Sequence, residues 1–304
     1  MFQSPIFQVL LQSAGPFFQK QIERAARDDR VKAIVLRIQS PGGSITASDH
    51  LYHQLIELRD GNKNRGTFAK PIVVSMGSLA ASGGYYIAMP GQRIFAERTS
   101  ITGSIGVYAA LPNVKTLGDK VGFRMEVIKA GEVKDSGSPF ADMTEKEKLM
   151  WQQLVDESYL QFLHVVEEGR PKLKGKLQED VKIDETMPVR TATGLQKKIN
   201  YTRYRADGGV YTAPDALKLG LIDQIGYLED AIESARQTAK LSTDFKAIRY
   251  ERPITMLGYL LGVKAPAASP RLEWSSLANS ATPRLWYLSS GSGAAGFLAA
   301  AGKE

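Results

Sequence analysis

Cysteine is absent from the 304 residues. Its absence excludes a thiol nucleophile, a disulfide framework and a thiolate metal centre together. Histidine is scarce, with only His50, His53 and His164 present. His50 and His53 have helical spacing, but no His-Glu-x-x-His pattern or carboxylate cluster completes a metal site, so neither a metal nor a cofactor is expected. Long apolar runs are missing as well. No stretch approaches the roughly 18 apolar residues a membrane-spanning helix needs. Residues 6–11 are too few and lack the basic flank of a signal sequence. Residues 254–263 are interrupted by Thr255, Gly258 and Gly262, and residues 291–302 are small and also too few, so each is expected to lie on a membrane or a neighbour at most. Concentrated charge of one sign is missing too: 39 Lys and Arg oppose 32 Asp and Glu, net +7, but they are scattered. Lys172, Lys174 and Lys176 form the densest basic stretch and lack interleaved aromatics, so they read as a solvated face and no nucleic-acid partner is expected.

What is present is a layered α/β pattern. Residues 7–11 read as a strand and 17–27 as an amphipathic helix. Residues 33–38 form an almost unbroken apolar run, as in a strand buried on both faces of a parallel sheet. Ser40-Pro41-Gly42-Gly43-Ser44 then turns the chain into a helix over 47–58. The unit repeats: an apolar strand from Ile72 to Met76 leads through Gly77-Ser78 and Ala80-Ala81-Ser82-Gly83-Gly84 into an apolar helical stretch to Ala88. Further strands are expected at 93–96, 105–109 and 125–129, with a helix opened by Pro112. Thr144 and Glu147 make a capping box for a long helix over 145–168. Residues 173–205 read as a polar insertion with short strands, and helices are expected over 214–219 and 228–239. The domain expectation is one α/β unit over 1–253, the insertion included, followed by a C-terminal extension over 254–304 without regular pattern.

Acyl transfer needs a nucleophile at a sharp turn, a base within hydrogen-bond reach, and backbone N–H donors aimed at the developing oxyanion. Two glycine turns after two neighbouring buried strands are the right material for such a site. An isolated Ser-Gly pair is more often a helix cap, and a loop lysine is more often solvated, so composition alone leaves Ser82 and Lys134 undecided.

The longer blocks carry more. Met76-Gly77-Ser78-Leu79-Ala80-Ala81-Ser82-Gly83-Gly84-Tyr85-Tyr86-Ile87, with Ser40-Pro41-Gly42-Gly43 before it and Thr102-Gly103-Ser104-Ile105-Gly106-Val107 after it, closely resembles the signal peptide peptidase A (SppA) family. Ile128-Lys129-Ala130-Gly131-Glu132-Val133-Lys134-Asp135 resembles that family's base-bearing segment, and Leu219-Gly220-Leu221-Ile222-Asp223 a fifth block. The resemblance implies the ClpP/crotonase-like fold and a serine peptidase with a Ser-Lys dyad. Ser82 matches the nucleophile, Lys134 the general base, Ser104 the hydroxyl that holds the lysine amine, and the Gly43 and Gly83 amides the oxyanion hole.

The chemistry agrees with those roles. A lysine with an ordinary pKa of about 10.4 is protonated at neutral pH and cannot take a proton from serine. Desolvation lowers that value, and a neutral hydroxyl such as Ser104 orients the amine without restoring its charge. A carboxylate would work against the base, so the Asp135 side chain is expected to point away from Lys134. Ser78 and Lys129 are the alternatives nearby, at positions the blocks do not match. A Ser-His-Asp triad finds no suitable histidine after Ser82.

The resemblance also implies peptide substrates, cleaved signal peptides among them, and a ring or dome of identical subunits in which nucleophile and base come from neighbours. It implies association with a membrane surface, although the family's usual N-terminal anchor has no match in these residues. Two rival readings remain: a non-catalytic scaffold of the same fold that assembles membrane complexes, and a crotonase-like acyl-CoA enzyme using glycine amides with a glutamate.

Overall fold

The computed structural model describes residues 5–11, 16–185, 199–250 and 285–288. In chain order the helices and strands are β1 (Pro5–Leu11), α1 (Pro16–Arg27), β2 (Ala33–Ser40), β3 (Gly42–Ser44), α2 (Ile45–Asp60), β4 (Ile72–Ala81), α3 (Gly83–Tyr86), β5 (Arg93–Ala96), β6 (Ile101–Gly103) and β7 (Tyr108–Ala109). Next come α4 (Lys115–Val121), α5 (Glu145–Gly169), β8 (Asp180–Glu185), β9 (Ile199–Tyr204), β10 (Val210–Thr212), α6 (Ala213–Lys218), β11 (Gln224–Ile225), α7 (Leu228–Thr238), β12 (Lys246–Arg249) and β13 (Leu285–Leu288).

Strands β12, β1, β2 and β4 lie side by side, all parallel. Such a sheet needs cover on both faces, and the sequence supplies it by alternation. Ala33 and Val35 of β2 and Val73 of β4 pack with Ala231 and Ala235 of α7. Ile34, Leu36 and Ile38 of β2, with Ile72, Val74 and Met76 of β4, face the other way into a core shared with Phe18 of α1, Leu51, Leu55 and Leu58 of α2, and Phe162 of α5. Each buried Val, Leu, Ile, Met or Phe among these contributes about 1.5–3 kcal/mol of transfer free energy.

Strand β4 does two jobs. Val73 to Met76 pairs with β5, and Leu79 to Ala81 pairs with β6, both parallel. Its register against β2 slips between Ile38 and Ser40, so that Ser40 stands opposite Ala80. A slip of this kind bends a strand and re-aims the residues beyond it. Here it carries the strand past Met76, where the strand expected from sequence ends, through Gly77-Ser78 to Ala81, and delivers Ser82 at the far end. The layered α/β arrangement of repeated strand–turn–helix units is as expected, as is α5 with its capping box, in which Glu147 bonds the Thr144 amide and the Thr144 hydroxyl accepts from the Glu147 amide.

Several elements differ from expectation. The helix expected up to Ala88 is the single turn α3. The strand expected over 105–109 is reduced to β7, with β6 taking the pairing before it. Residues 125–129 form no strand, because nothing in the described chain pairs with them. They lie on a stretch from 121 to 130 that is exposed throughout: Phe123, Met125 and Val127 are about half exposed, Ile128 wholly so, and the Phe123 ring packs against Phe140. The insertion holds the hairpin of β8 and β9. Most of the C-terminal extension lies outside the described residues; the exception is β13, which joins β3 and β7 in a separate three-stranded sheet. No described helix is long and apolar enough to cross a membrane.

Candidate active site

Ser82 joins the end of β4 to the start of α3 with φ 55° and ψ −118°. Positive φ is costly for a residue with a Cβ, on the order of 1–3 kcal/mol, and persists only where the surroundings enforce it. Three sets of bonds do so. The Ser82 amide donates to the Gly103 carbonyl of β6 at 2.8 Å, and its own carbonyl accepts from the Tyr85 and Tyr86 amides at 2.8 and 2.9 Å. The tyrosines in turn anchor α3: the Tyr85 hydroxyl donates to the Leu221 carbonyl and the Tyr86 hydroxyl to Asp49, both at 2.7 Å.

A serine at a helix start normally caps an amide with its hydroxyl. Ser82 makes no such bond. Its Oγ is wholly buried and, among the described residues, has no hydrogen-bond partner. An unsatisfied buried hydroxyl is unfavourable for folding and calls for an explanation from function.

The second glycine turn meets the first. A Cβ added to Gly83 would stand 3.1 Å from the Gly43 nitrogen and 3.3 Å from the Gly42 Cα, and only 2.5 Å from the Ser48 hydroxyl oxygen. A Cβ on Gly84 would be similarly tight, 2.8 Å from the Ser40 carbonyl oxygen. Only glycine lets the two turns approach this closely, and the approach sets the backbone of Gly42-Gly43 beside the residue after Ser82.

Ser104 lies at the end of β6, also with positive φ, at 51°. Its amide donates to Gly209 at 2.8 Å and its hydroxyl to the Gly208 carbonyl at 3.0 Å. That turn is held by Asp207, whose carboxylate accepts from the Gly209 amide at 2.9 Å and from Arg203 at 2.6 and 2.8 Å. Burial alone would raise the Asp207 pKa; the Arg203 and Gly209 bonds outweigh it and hold the carboxyl below its ordinary value. A cleft of about 640 Å³ opens beside Ser104, walled by Val107, Tyr108, Val155, Tyr159 and Ala206.

Lys134 differs from the buried amine expected from sequence. It is exposed, on a turn from 131 to 137, and it does not bond Ser104, whose hydroxyl donates to Gly208 instead. The turn itself is well anchored: Trp151 donates to the Ser136 hydroxyl at 2.9 Å, and Lys146 pairs with Glu132. Asp135 pairs with Lys129, which keeps its carboxylate occupied away from the Lys134 amine, as expected. The structure thus brings together Ser82, Gly83, Gly42 and Gly43, holds Ser104 nearby just after β6, and leaves Lys134 outside the group.

Three supports escaped the sequence reading. Tyr85 and Tyr86 stand in the matched block without a role assigned to them, and Asp207 with Gly208-Gly209 lies just after the supposed insertion. Their signal is weak in sequence: a Tyr pair next to a glycine turn, and an Asp-Gly-Gly turn between strands. His50, His53 and His164 are all exposed, each within reach of a helix neighbour four residues on. Among the described residues, no group of three or more His, Cys, Asp or Glu side chains is placed to hold a metal ion.

The comparison that decides the family is made with Peptidase family S49, whose profile matches residues 65–182 and 189–242. The chain belongs to peptidase family S49. Relatives of this S49 chain include "Putative protease MJ0651" of Methanocaldococcus jannaschii, 35% identical over 74% of this chain and 62% of that protein. "Putative signal peptide peptidase SppA" of Enterococcus faecium is 32% identical over 78% of this chain and 60% of its own length. The S49 chain therefore spans somewhat less than two thirds of each. Among solved structures, a probable enoyl-CoA hydratase/isomerase from Mycobacterium abscessus aligns with a TM-score of 0.38 at 11% identity, over 78% of this chain and 72% of that one. The two S49 match segments take in most of the site: the first holds Ser82, Gly83, Ser104 and Lys134, and the second Asp207 to Gly209.

Proposed function

We propose that this chain is a serine endopeptidase in which Ser82 is the nucleophile, Lys134 the general base, Ser104 the hydroxyl that orients the lysine amine, and the Gly43 and Gly83 amides the oxyanion donors. The observation that carries the reading is Ser82 itself, held by its neighbours at φ 55° with a buried Oγ that serves no structural bond. Strand-to-helix turns of this kind present a nucleophile at the end of a sheet strand.

In the reaction, a neutral lysine amine takes the Ser82 proton as Oγ attacks the substrate carbonyl carbon. The Gly43 and Gly83 N–H groups receive the charge that develops on the carbonyl oxygen. The ammonium then protonates the departing amine, leaving an acyl-enzyme, and the same amine activates water to release the acid.

Lys134 reaches Ser82 from a second copy. In the single chain it is exposed and the Ser82 hydroxyl has no partner, so both halves of the dyad are incomplete. The exposed stretch over 121–130 alternates Phe123, Met125 and Val127 with Arg124 and Glu126, the pattern of a strand awaiting a partner, and leads directly to Lys134. Docking against a like subunit covers those side chains and desolvates the amine, which is what a lysine base requires. A closed ring or dome of like subunits meets this need.

The substrates are short hydrophobic or unfolded peptides, remnant signal peptides among them. The largely apolar wall of the cleft beside Ser104 suits such side chains, and the Enterococcus relative bears a signal peptide peptidase name. A non-catalytic scaffold is the second reading, favoured by the exposure of Lys134 and by a Ser82 hydroxyl and a Ser104 hydroxyl that do not bond it within one chain. Fluorophosphonate labelling separates the two: the assembled protein is expected to label at Ser82 and hydrolyse a hydrophobic fluorogenic peptide, with Ser82→Ala doing neither. An assembled wild-type protein that stays unlabelled favours the scaffold.

A further inference from the structure

Ser48 is the fourth residue of α2, and only 6% of its surface is exposed. A serine inside a helix has a ready partner, the carbonyl four residues back. Ser158 of α5 donates to Leu154 in this way at 2.7 Å, and Thr238 of α7 to Ser234 at 2.8 Å. Ser48 does not take the equivalent bond to Ser44. Its hydroxyl makes no hydrogen bond to any described residue. A buried hydroxyl left in this state is unfavourable for folding, and space filling does not account for it, since alanine fills a helix position without that cost.

The hydroxyl is turned toward the residue after the nucleophile. The place that a Cβ of Gly83 would take is 2.5 Å from Ser48 Oγ and 3.1 Å from the Gly43 nitrogen. Covalent geometry puts the same place about 2.5 Å from the nitrogen of Gly83 itself. Ser48 Oγ and the Gly43 and Gly83 amides therefore gather on one side of a single α-carbon, and each of them is a hydrogen-bond donor. The missing side chain of Gly83 is what leaves the hydroxyl its room. Ser48 also lies in the first turn of α2, whose dipole brings its positive end to this spot and favours a negative oxygen there.

From this we infer that the Ser48 hydroxyl is a third donor to the oxyanion, beside the Gly43 and Gly83 amides. Its role rests on the peptidase reading above and extends that site by one catalytic residue. As Ser82 Oγ adds to the substrate carbonyl carbon, the π pair of the C=O bond moves onto the oxygen. Ser48 donates a hydrogen bond to that oxygen and keeps its own proton, so it is unchanged when the carbonyl re-forms and the amine departs. A hydroxyl with no prior partner has no bond to give up when the charge arrives, which is the condition for a preorganised donor.

Unlike the two amides, this donor can be removed by substitution. The test compares the assembled full chain with its Ser48→Ala variant on a hydrophobic fluorogenic peptide. The expected kcat is lower by about 10²-fold, with KM within about twofold of wild type, because the bond forms only in the transition state. A peptide aldehyde, whose hemiacetal with Ser82 places an oxygen where the oxyanion stands, is expected to bind the variant weaker by about the same factor. The urea midpoint is expected to stay at or above the wild-type value, since alanine is the better helix former and leaves no unpartnered hydroxyl. A variant with wild-type kcat and aldehyde affinity overturns the assignment and leaves the peptidase reading standing. A rate that falls only together with the urea midpoint makes Ser48 a packing residue and overturns it as well. If the wild type itself neither hydrolyses the peptide nor labels with fluorophosphonate at Ser82, the peptidase reading falls and the third donor with it.

Discussion

A Cβ on Gly83 would stand 3.1 Å from the amide nitrogen of Gly43. Two turns separated in the sequence by α2 and β4 are thereby packed backbone to backbone, and the amides proposed for the oxyanion hole come from these two glycines. Gly83→Ala forces either the Ser48 hydroxyl, 2.5 Å away, or the Gly42-Gly43 backbone to move. The expected result is a loss of about 1–3 kcal/mol in stability from overpacking, with peptide hydrolysis lower by about 10²-fold as a donor is misaligned. Denaturant midpoints and kcat/KM measured side by side give both numbers.

Ser82 is expected to work against stability. Ser82→Gly relieves the φ of 55° and removes the unpartnered hydroxyl. It is expected to raise unfolding free energy by about 1 kcal/mol while abolishing activity. Ser82→Ala keeps the backbone strain, so it gains less, and it is equally inactive. A urea titration of the three proteins orders them, and a stability loss in both variants would contradict the strained-nucleophile account.

The Tyr85 hydroxyl donates to the Leu221 carbonyl, both wholly buried. Tyr85→Phe leaves that carbonyl without its donor, at a cost of about 1–2 kcal/mol. Because α3 is a single turn that fixes Ser82, peptide hydrolysis is expected to fall as well, through kcat more than KM. Thermal unfolding with steady-state kinetics checks it.

Lys70 gives a pH signature away from the site. Its amine is buried against the Asp28 and Val31 carbonyls at 2.8 and 2.5 Å, and burial pushes its pKa down from 10.5 to about 8. Between those values the unfolded chain holds the proton more than the native one, so stability rises with pH. The penalty for burying the charge is fully present below about 8 and is relieved as pH rises towards 10.5. The difference in stability between wild type and Lys70→Met, followed by urea titration across that interval, is expected to shift steadily in favour of the wild type. A flat difference would refute it.

Much of the site was legible because its signals are local. The apolar runs at 33–38 and 72–76, each followed by a glycine turn, announce parallel strands and a backbone that must approach something closely. Thr144 and Glu147 announce the start of α5. What was not legible depends on distant partners. The apolar run reads as a strand only to Met76, yet pairing with β2 and β6 carries β4 through Gly77-Ser78 to Ala81, a case of sheet context overriding local preference. Residues 125–129 have strand alternation without a partner among the described residues of their own chain. Ser104 is held by Gly208 and Gly209, some hundred residues on, which no short motif records. Leu285 to Leu288 is a brief apolar run in a patternless tail, and only its pairing with Gly42 to Ser44 gives it meaning.

The central claim is that Ser82 of one subunit works with Lys134 of another, and mixing two inactive variants tests it most directly. Ser82→Ala and Lys134→Ala are each expected to be inactive on a hydrophobic fluorogenic peptide. Unfolded together and reassembled in equal amounts, they are expected to recover about a quarter of the wild-type rate, since one site in four receives an intact serine and an intact lysine from separate chains. A mixture that stays inactive, beside wild type that regains full activity after the same treatment, would contradict the shared site.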